Sequence, residues 1–247
     1  MANKITKRNS FIEFMLTQIE LLQDSNRFGT AQNYKSTLNS FNSFLNYKDV
    51  SFKLITSDLI ERYNAYLIKR NISRNSISFY MRVLRSVYNK AVKHKLTKNL
   101  NPFNDVYTGV DKTSKRAVDE DVISKLCNLR IKDGSALELA RDIFMFSYFA
   151  RGMAFVDIAF LTKKDIRNNR ILYRRHKTKQ LLDIKIENSI KEIIDKYKGQ
   201  SDLYVFPIIS SSDAEEAYKQ YQSAINKYNR LLVILSRKIN NKAGSIY

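Results

Sequence analysis

Ser78, Arg82, Arg85, Asn89 and Lys93 follow one another at steps of three and four residues, the spacing that aligns side chains along one side of a helix. Cations interleaved with hydroxyl and amide groups suit one kind of chemistry, the neutralising and hydrogen-bonding of phosphates. Ile77, Met81, Leu84, Tyr88 and Ala91 fall on the opposite side, so a core can hold this helix while its polar side faces a polyanion. No acid interrupts the stretch from Arg62 to Asn104, which also holds Lys69, Arg70, Arg74, Lys90, Lys95 and Lys98. Arg74, Arg82, Arg85 and Lys93 are therefore the candidate phosphate or groove contacts. Asn33 and Lys35, near the start of an earlier helix, are secondary ones.

The whole chain agrees with that local signal. Its 247 residues hold 43 Lys+Arg against 24 Asp+Glu, a formal net charge of +19. Such an excess points to nucleic acid first and an anionic membrane surface second. The basic stripes are backed by core-like apolar faces and not by an exposed hydrophobic wedge, which sets the membrane aside. No apolar run approaches the 18 residues of a membrane span, and MANKITKRNS lacks a signal-peptide core. With 44% hydrophobic residues the chain folds and is not a disordered basic tail. One cysteine, Cys127, excludes a disulfide framework and a cysteine zinc site; His94 and His176 leave little room for metal or triad chemistry.

The elements that must position these residues read as mainly α. Helices are expected from Ser10 to about Leu22, after Thr30 as N-cap, from Ser57 or Asp58, and from Ser73 to about His94, making a small four-helix bundle. Asn99–Arg116, with Pro102 and Gly109 and no apolar period, reads as a linker. Beyond it, helices are expected from Asp119 or Glu120, over Ala136–Phe149 and over Val156–Leu161. The period then changes to two: Arg170–Arg175 and Leu181–Ile186 flank the polar turn His176-Lys177-Thr178-Lys179-Gln180, a β-hairpin with a basic tip. Ile190–Tyr197 is helical, Leu203–Ile209 is an apolar run containing Pro207, and a long helix is expected from Asp213 to about Lys238.

That order of parts resembles a tyrosine recombinase of the phage integrase family, especially mobile-element integrases of Bacteroides-like bacteria. The residues that carry the resemblance are KHKLTKNLNPF at the end of the bundle, FSYFARGMAFVDIAFLTKKDI, and the hairpin YRRHKTKQLLDIKI. The resemblance covers nearly the whole chain. It implies a SAM-like DNA-binding domain over residues 1–98, a linker at 99–116 and an α+β catalytic domain from 117 to 247, closing as a C-shaped clamp on duplex DNA. It also implies strand cleavage through a 3′-phosphotyrosyl link without metal or high-energy cofactor. Cations then stabilise the charge that builds on the scissile phosphate, and a general acid protonates the leaving 5′-oxygen.

Carried onto this sequence, the resemblance assigns the general-acid lysine to Lys177, with Lys179 as its neighbour and competitor. The family's first arginine falls at Ala154, once Gly152, Asp157 and Leu161 are matched to the family's glycine, acid and leucine. Arg151, one turn earlier if the segment is helical, or Arg175 on the hairpin is expected to supply the missing charge. Asp157 reads as a structural partner of a nearby basic group. No His-x-x-Arg pair occurs, and Tyr247 stands too early to be the nucleophile. The expectation is a truncated recombinase that binds DNA but does not cleave it alone, monomeric in solution and joined on DNA by full-length recombinase protomers, in a bacterial cytoplasm. The alternative is a naturally shortened, non-enzymatic regulator that occupies recombination sites.

Overall fold

Hydroxyl caps and apolar stripes lay down the helices of the N-terminal half: α1 (Phe11–Asp24), α2 (Phe28–Phe44), α3 (Ser57–Lys69) and α4 (Arg74–Lys93). In the computed structural model, which describes residues 9–113 and 118–239, Ser10 Oγ accepts the Glu13 N–H at 2.9 Å. Thr56, one residue before the expected start, caps α3 through the Leu59 N–H, and Ser73 caps α4 through that of Ser76. These bonds satisfy amides that a helix leaves open at its start. Helix α2 begins at Phe28, ahead of Thr30, and its N-terminus has no side-chain cap. Asn26, at φ 55°, reverses the chain so tightly that little loop remains. Phe11, Met15, Phe41, Ile60, Tyr63, Met81 and Tyr88 fill the bundle core, with the rings of Phe41 and Tyr63 edge to face at 5.0 Å.

The chain divides into two compact units at Ser114/Lys115, and the expected linker is largely part of the first. Phe103 and Val106 are buried in the bundle core. The Tyr88 hydroxyl donates to the Lys98 carbonyl and accepts from the Leu100 N–H. Two apolar residues in a loop carry no period, so their burial had no signature in the pattern. Residues 114–116 of that expected linker, and Tyr247, lie outside the described residues.

The second unit runs α5 (Glu120–Cys127), α6 (Ala136–Phe149), α7 (Phe155–Ala159), β1 (Ile166–Arg167), β2 (Arg170–Arg174), β3 (Leu181–Lys185), α8 (Asn188–Lys196) and α9 (Ala214–Lys238). The expected hairpin is the main part of an antiparallel sheet in the order β1-β2-β3. Strand β1 is joined to β2 through Asn168 and Asn169, both at positive φ, the backbone of a two-residue hairpin turn. Ile171, Tyr173 and Ile184 turn inward and pack with α6 around Phe146 and Phe206, whose ring centroids are 4.8 Å apart. The run Leu203–Ile209 forms no strand. It contributes one bridge, Thr162 to Tyr204, and a bond from the Val205 N–H to the Leu161 carbonyl.

Helices α6 and α8 are tied by charge. Glu138 and Asp142, each 5% exposed, both receive the Lys196 ammonium. Asp142 also accepts from Arg141 Nε at 2.8 Å and from the Tyr197 hydroxyl at 2.8 Å. The second Glu138 oxygen takes the Gly134 N–H at 2.8 Å. Burial, together with the bond to Asp142, holds the Tyr197 phenol well above its ordinary pKa.

Candidate functional site

Cation-bearing surfaces emerge in both units, one on the first and two on the second. On α4, Arg82, Arg85, Ser86, Asn89, Lys90 and Lys93 line an open concavity of about 440 Å³. The opposite face of the helix, Met81, Leu84, Val87, Tyr88 and Ala91, is buried, so the polar row is held rigidly outward. Helix α2 braces it: the Tyr34 hydroxyl lies 3.1 Å from Ser86 Oγ, and the Lys90 ammonium sits 5.3 Å from the Tyr34 ring centroid. Asn33 and Lys35 flank buried Tyr34 and are exposed, but do not line the concavity. Lys90 and Ser86 were not singled out in the sequence, because they lie one residue off the regular stripe.

The first turns of α4 are occupied by the chain itself. Residues Tyr107–Asp111 lie across them as a strap. Arg74 meets the Asp111 carboxylate at 3.3 Å and stacks 3.8 Å from the Tyr107 ring centroid. The Tyr107 hydroxyl donates to the same carboxylate at 2.7 Å, which raises the phenol's pKa. Asn75 accepts the Asp111 N–H at 2.8 Å and donates to its carbonyl at 3.2 Å. Ser78, expected on the open stripe, is buried and donates to the Gly109 carbonyl. Arg85 NH1 donates to Thr108 Oγ1 at 3.1 Å. Of the four arginines and lysines expected to meet phosphates, Arg82, Arg85 and Lys93 share the open surface, and Arg74 is held by an acid.

In the second unit, Arg151 and Arg175 line one cavity of about 220 Å³, together with Ala154, Tyr173 and Asp183. They arrive from separate places. Helix α6 ends at Phe149, and Arg151 and Gly152 follow at φ 58° and 76°. The Gly152 N–H returns to the Ser147 carbonyl at 2.8 Å, a left-handed helix end that glycine adopts at no steric cost. The helical turn that would have carried Arg151 toward the Ala154 position is therefore absent, and the reversal of the chain brings it to the cavity instead. Ala154 itself precedes α7 in extended conformation. Arg175 comes from the hairpin, its N–H bonded to the Gln180 carbonyl at 2.9 Å.

Lys177 and Lys179 are exposed at the hairpin tip and are not among the residues lining that cavity. The base of the tip is anchored by Asp157, 2% exposed, whose Oδ1 accepts the His176 N–H at 2.7 Å. Its other oxygen is buried with no hydrogen-bond partner. Asp157 thus holds backbone and not a basic side chain. The His176 ring lies 4.7 Å from that of Phe160, and partial desolvation of this exposed side chain lowers its pKa below the ordinary 6.5. A second cavity, of about 440 Å³, opens beside Asp157 and His176 and is lined by Lys164, Arg167 and Arg174. These three were not singled out in the sequence, where no period linked them.

Residues 10–108 match the family model described as the phage integrase SAM-like domain. No curated protein matches the chain. Among solved structures, a Tn1549 transposon integrase in complex with a circular intermediate DNA superposes with a TM-score of 0.63 at 12% identity, covering 97% of this chain and 82% of that one. A lambda integrase (75-356) dimer bound to a COC′ core site gives 0.62 at 14% identity, over 95% and 92%. A lambda integrase tetramer bound to a Holliday junction gives 0.60 at 13% identity, over 99% and 77%. At such identities the likeness is one of fold. Residues 10–108 thus carry the match to the phage integrase SAM-like domain, and the chain as a whole shares the fold of the lambda and Tn1549 integrases.

Proposed function

We propose that this chain binds duplex DNA at a recombination site and serves site-specific recombination or integration of a mobile element by phosphotyrosyl strand exchange. The observation that carries the reading is the meeting of Arg151 and Arg175 on one cavity beside Ala154. Two guanidinium groups there supply the positive field that a phosphoryl-transfer transition state needs. Lys177, on the exposed tip, is the proposed general acid for the leaving 5′-oxygen. Arg82, Arg85, Lys90 and Lys93 position the duplex on the first unit, with Asn33, Lys35 and Arg74 at its margin. In this reading the first unit, which takes in the expected domain 1–98 and most of the expected linker, is the DNA-binding domain, and the second belongs to the catalytic domain. The setting is the cytoplasm of a Bacteroides-like bacterium, with a monomer in solution that joins full-length protomers on DNA.

The same proposal holds that these 247 residues bind DNA without cleaving it, since no His-x-x-Arg pair is present. Mobility-shift titration of a recombination-site duplex at rising salt tests the first part. Four phosphate contacts from α4 give a log–log slope of about −3.6, and no binding even at low salt overturns the reading. A covalent protein–DNA adduct formed by the chain alone overturns the second part. The open α4 surface, which serves DNA binding without chemistry, also suits a regulator that occupies recombination sites. That reading expects the chain to inhibit a complete recombinase in a mixed reaction.

A further inference from the structure

Helix α4 carries two amide side chains on its polar side, Asn75 and Asn89, and the fold treats them oppositely. Asn75 is consumed by the strap, giving one bond to and taking one from the Asp111 backbone. Asn89 is exposed and lies in the open concavity among Arg82, Arg85, Lys90 and Lys93. Arginine and lysine offer only donors, whereas an asparagine amide offers a donor and an acceptor side by side. That pair matches the N7 acceptor and N6 donor on the major-groove edge of adenine. From Arg82 to Lys93 the helix covers roughly 16 Å, enough to reach phosphates on both sides of a major groove about 12 Å wide. The flanking cations can then fix the register while the amide between them meets a base.

We propose that Asn89 is the residue through which the first unit selects its DNA sequence, by a bidentate contact to one adenine in the major groove. The inference rests on the DNA-binding reading above. It is tested by selection from a library of randomised duplexes, with the 247-residue chain and three variants. The chain itself enriches adenine at one position. Asn89→Ala loses that enrichment, about tenfold or more in relative affinity for adenine over the other bases, with an unchanged salt slope. Asn89→Arg moves the preference to guanine. Arg82→Ala keeps the adenine preference and lowers the salt slope by about one. Asn89→Ala with the preference of the parent chain, or a parent chain that binds without adenine enrichment, overturns the assignment and leaves the DNA reading standing. No binding to any duplex overturns both.

Discussion

The α4 surface and the two-arginine cavity differ in how they are built, and the difference decides how each one fails. Every member of the α4 row sits on a single helix, whose geometry alone brings Arg82, Arg85, Asn89 and Lys93 to one side. The cavity draws on two separated stretches: the chain after α6, with Arg151 and Ala154, and the β2–β3 hairpin, with Tyr173, Arg175 and Asp183. Its charges have no local reason to meet. They meet because α6, α7 and the sheet share one core. A surface of the first kind tolerates damage elsewhere in the fold, and a cavity of the second kind inherits every weakness of its scaffold.

The largest expected effect comes from breaking that scaffold. Phe146→Ala removes a fully buried ring that packs on Phe206, at a cost of about 4 kcal/mol. In urea denaturation followed by amide exchange, the second unit should lose protection while α4 keeps it. Equal loss in both halves would erase the contrast. Next comes Lys196→Met, which leaves Glu138 and Asp142 buried without their shared ammonium. Because Lys196 is itself partly exposed, the expected cost is about 2 kcal/mol, again confined to the second unit.

A smaller effect sharpens the other side of the comparison. Asp111→Asn removes the acid that holds Arg74, an exposed pair worth about 0.5 kcal/mol. DNA affinity should rise about twofold and the salt slope should steepen. Unchanged affinity would mean that the strap does not compete with phosphate. Gly109→Ala acts on the same element sterically, since a Cβ there would come within 2.7 Å of the Tyr107 ring.

The smallest expected effect is a pH dependence of the hairpin. Partial desolvation lowers the pKa of His176, so below pH 6.5 the unfolded chain binds more protons than the folded one. Stability contributed by the neutral ring is complete above that pH and declines as pH falls toward the lowered folded value. His176→Phe should flatten this decline in thermal melts taken between pH 7 and pH 5. An unchanged pH profile would show that Phe160 and His176 do not sense protonation.

The same contrast explains what could be read before folding. Helix α6 was legible to the residue and α4 to its Ser73 cap, because a cap and a period of 3.6 are local facts. The polar row of α4 was legible except where tertiary contacts intervened. Ser78 has the spacing of the row, yet Gly109 covers it. Arg74 has the charge, yet Asp111, thirty-seven residues on, holds it. Strand β1 is two residues long and gave no alternation, although Asn168-Asn169 is a usable turn signal. Arg151 and Arg175 were both named in sequence, but their meeting was not, since it depends on a left-handed helix end that no period encodes.

The strap has a consequence for reach. Residues 107–111 are folded back on α4, so the path leading out of the first unit starts at its surface. A phosphate backbone that drew Arg74 from Asp111, and with it broke the strap's bonds to Asn75, Ser78 and Arg85, would free those five residues, roughly 17 Å of extended chain. The volume open to whatever follows would grow, and its effective concentration near the same duplex would change accordingly. Occupancy of the helix and length of the tether are thereby two readings of one equilibrium.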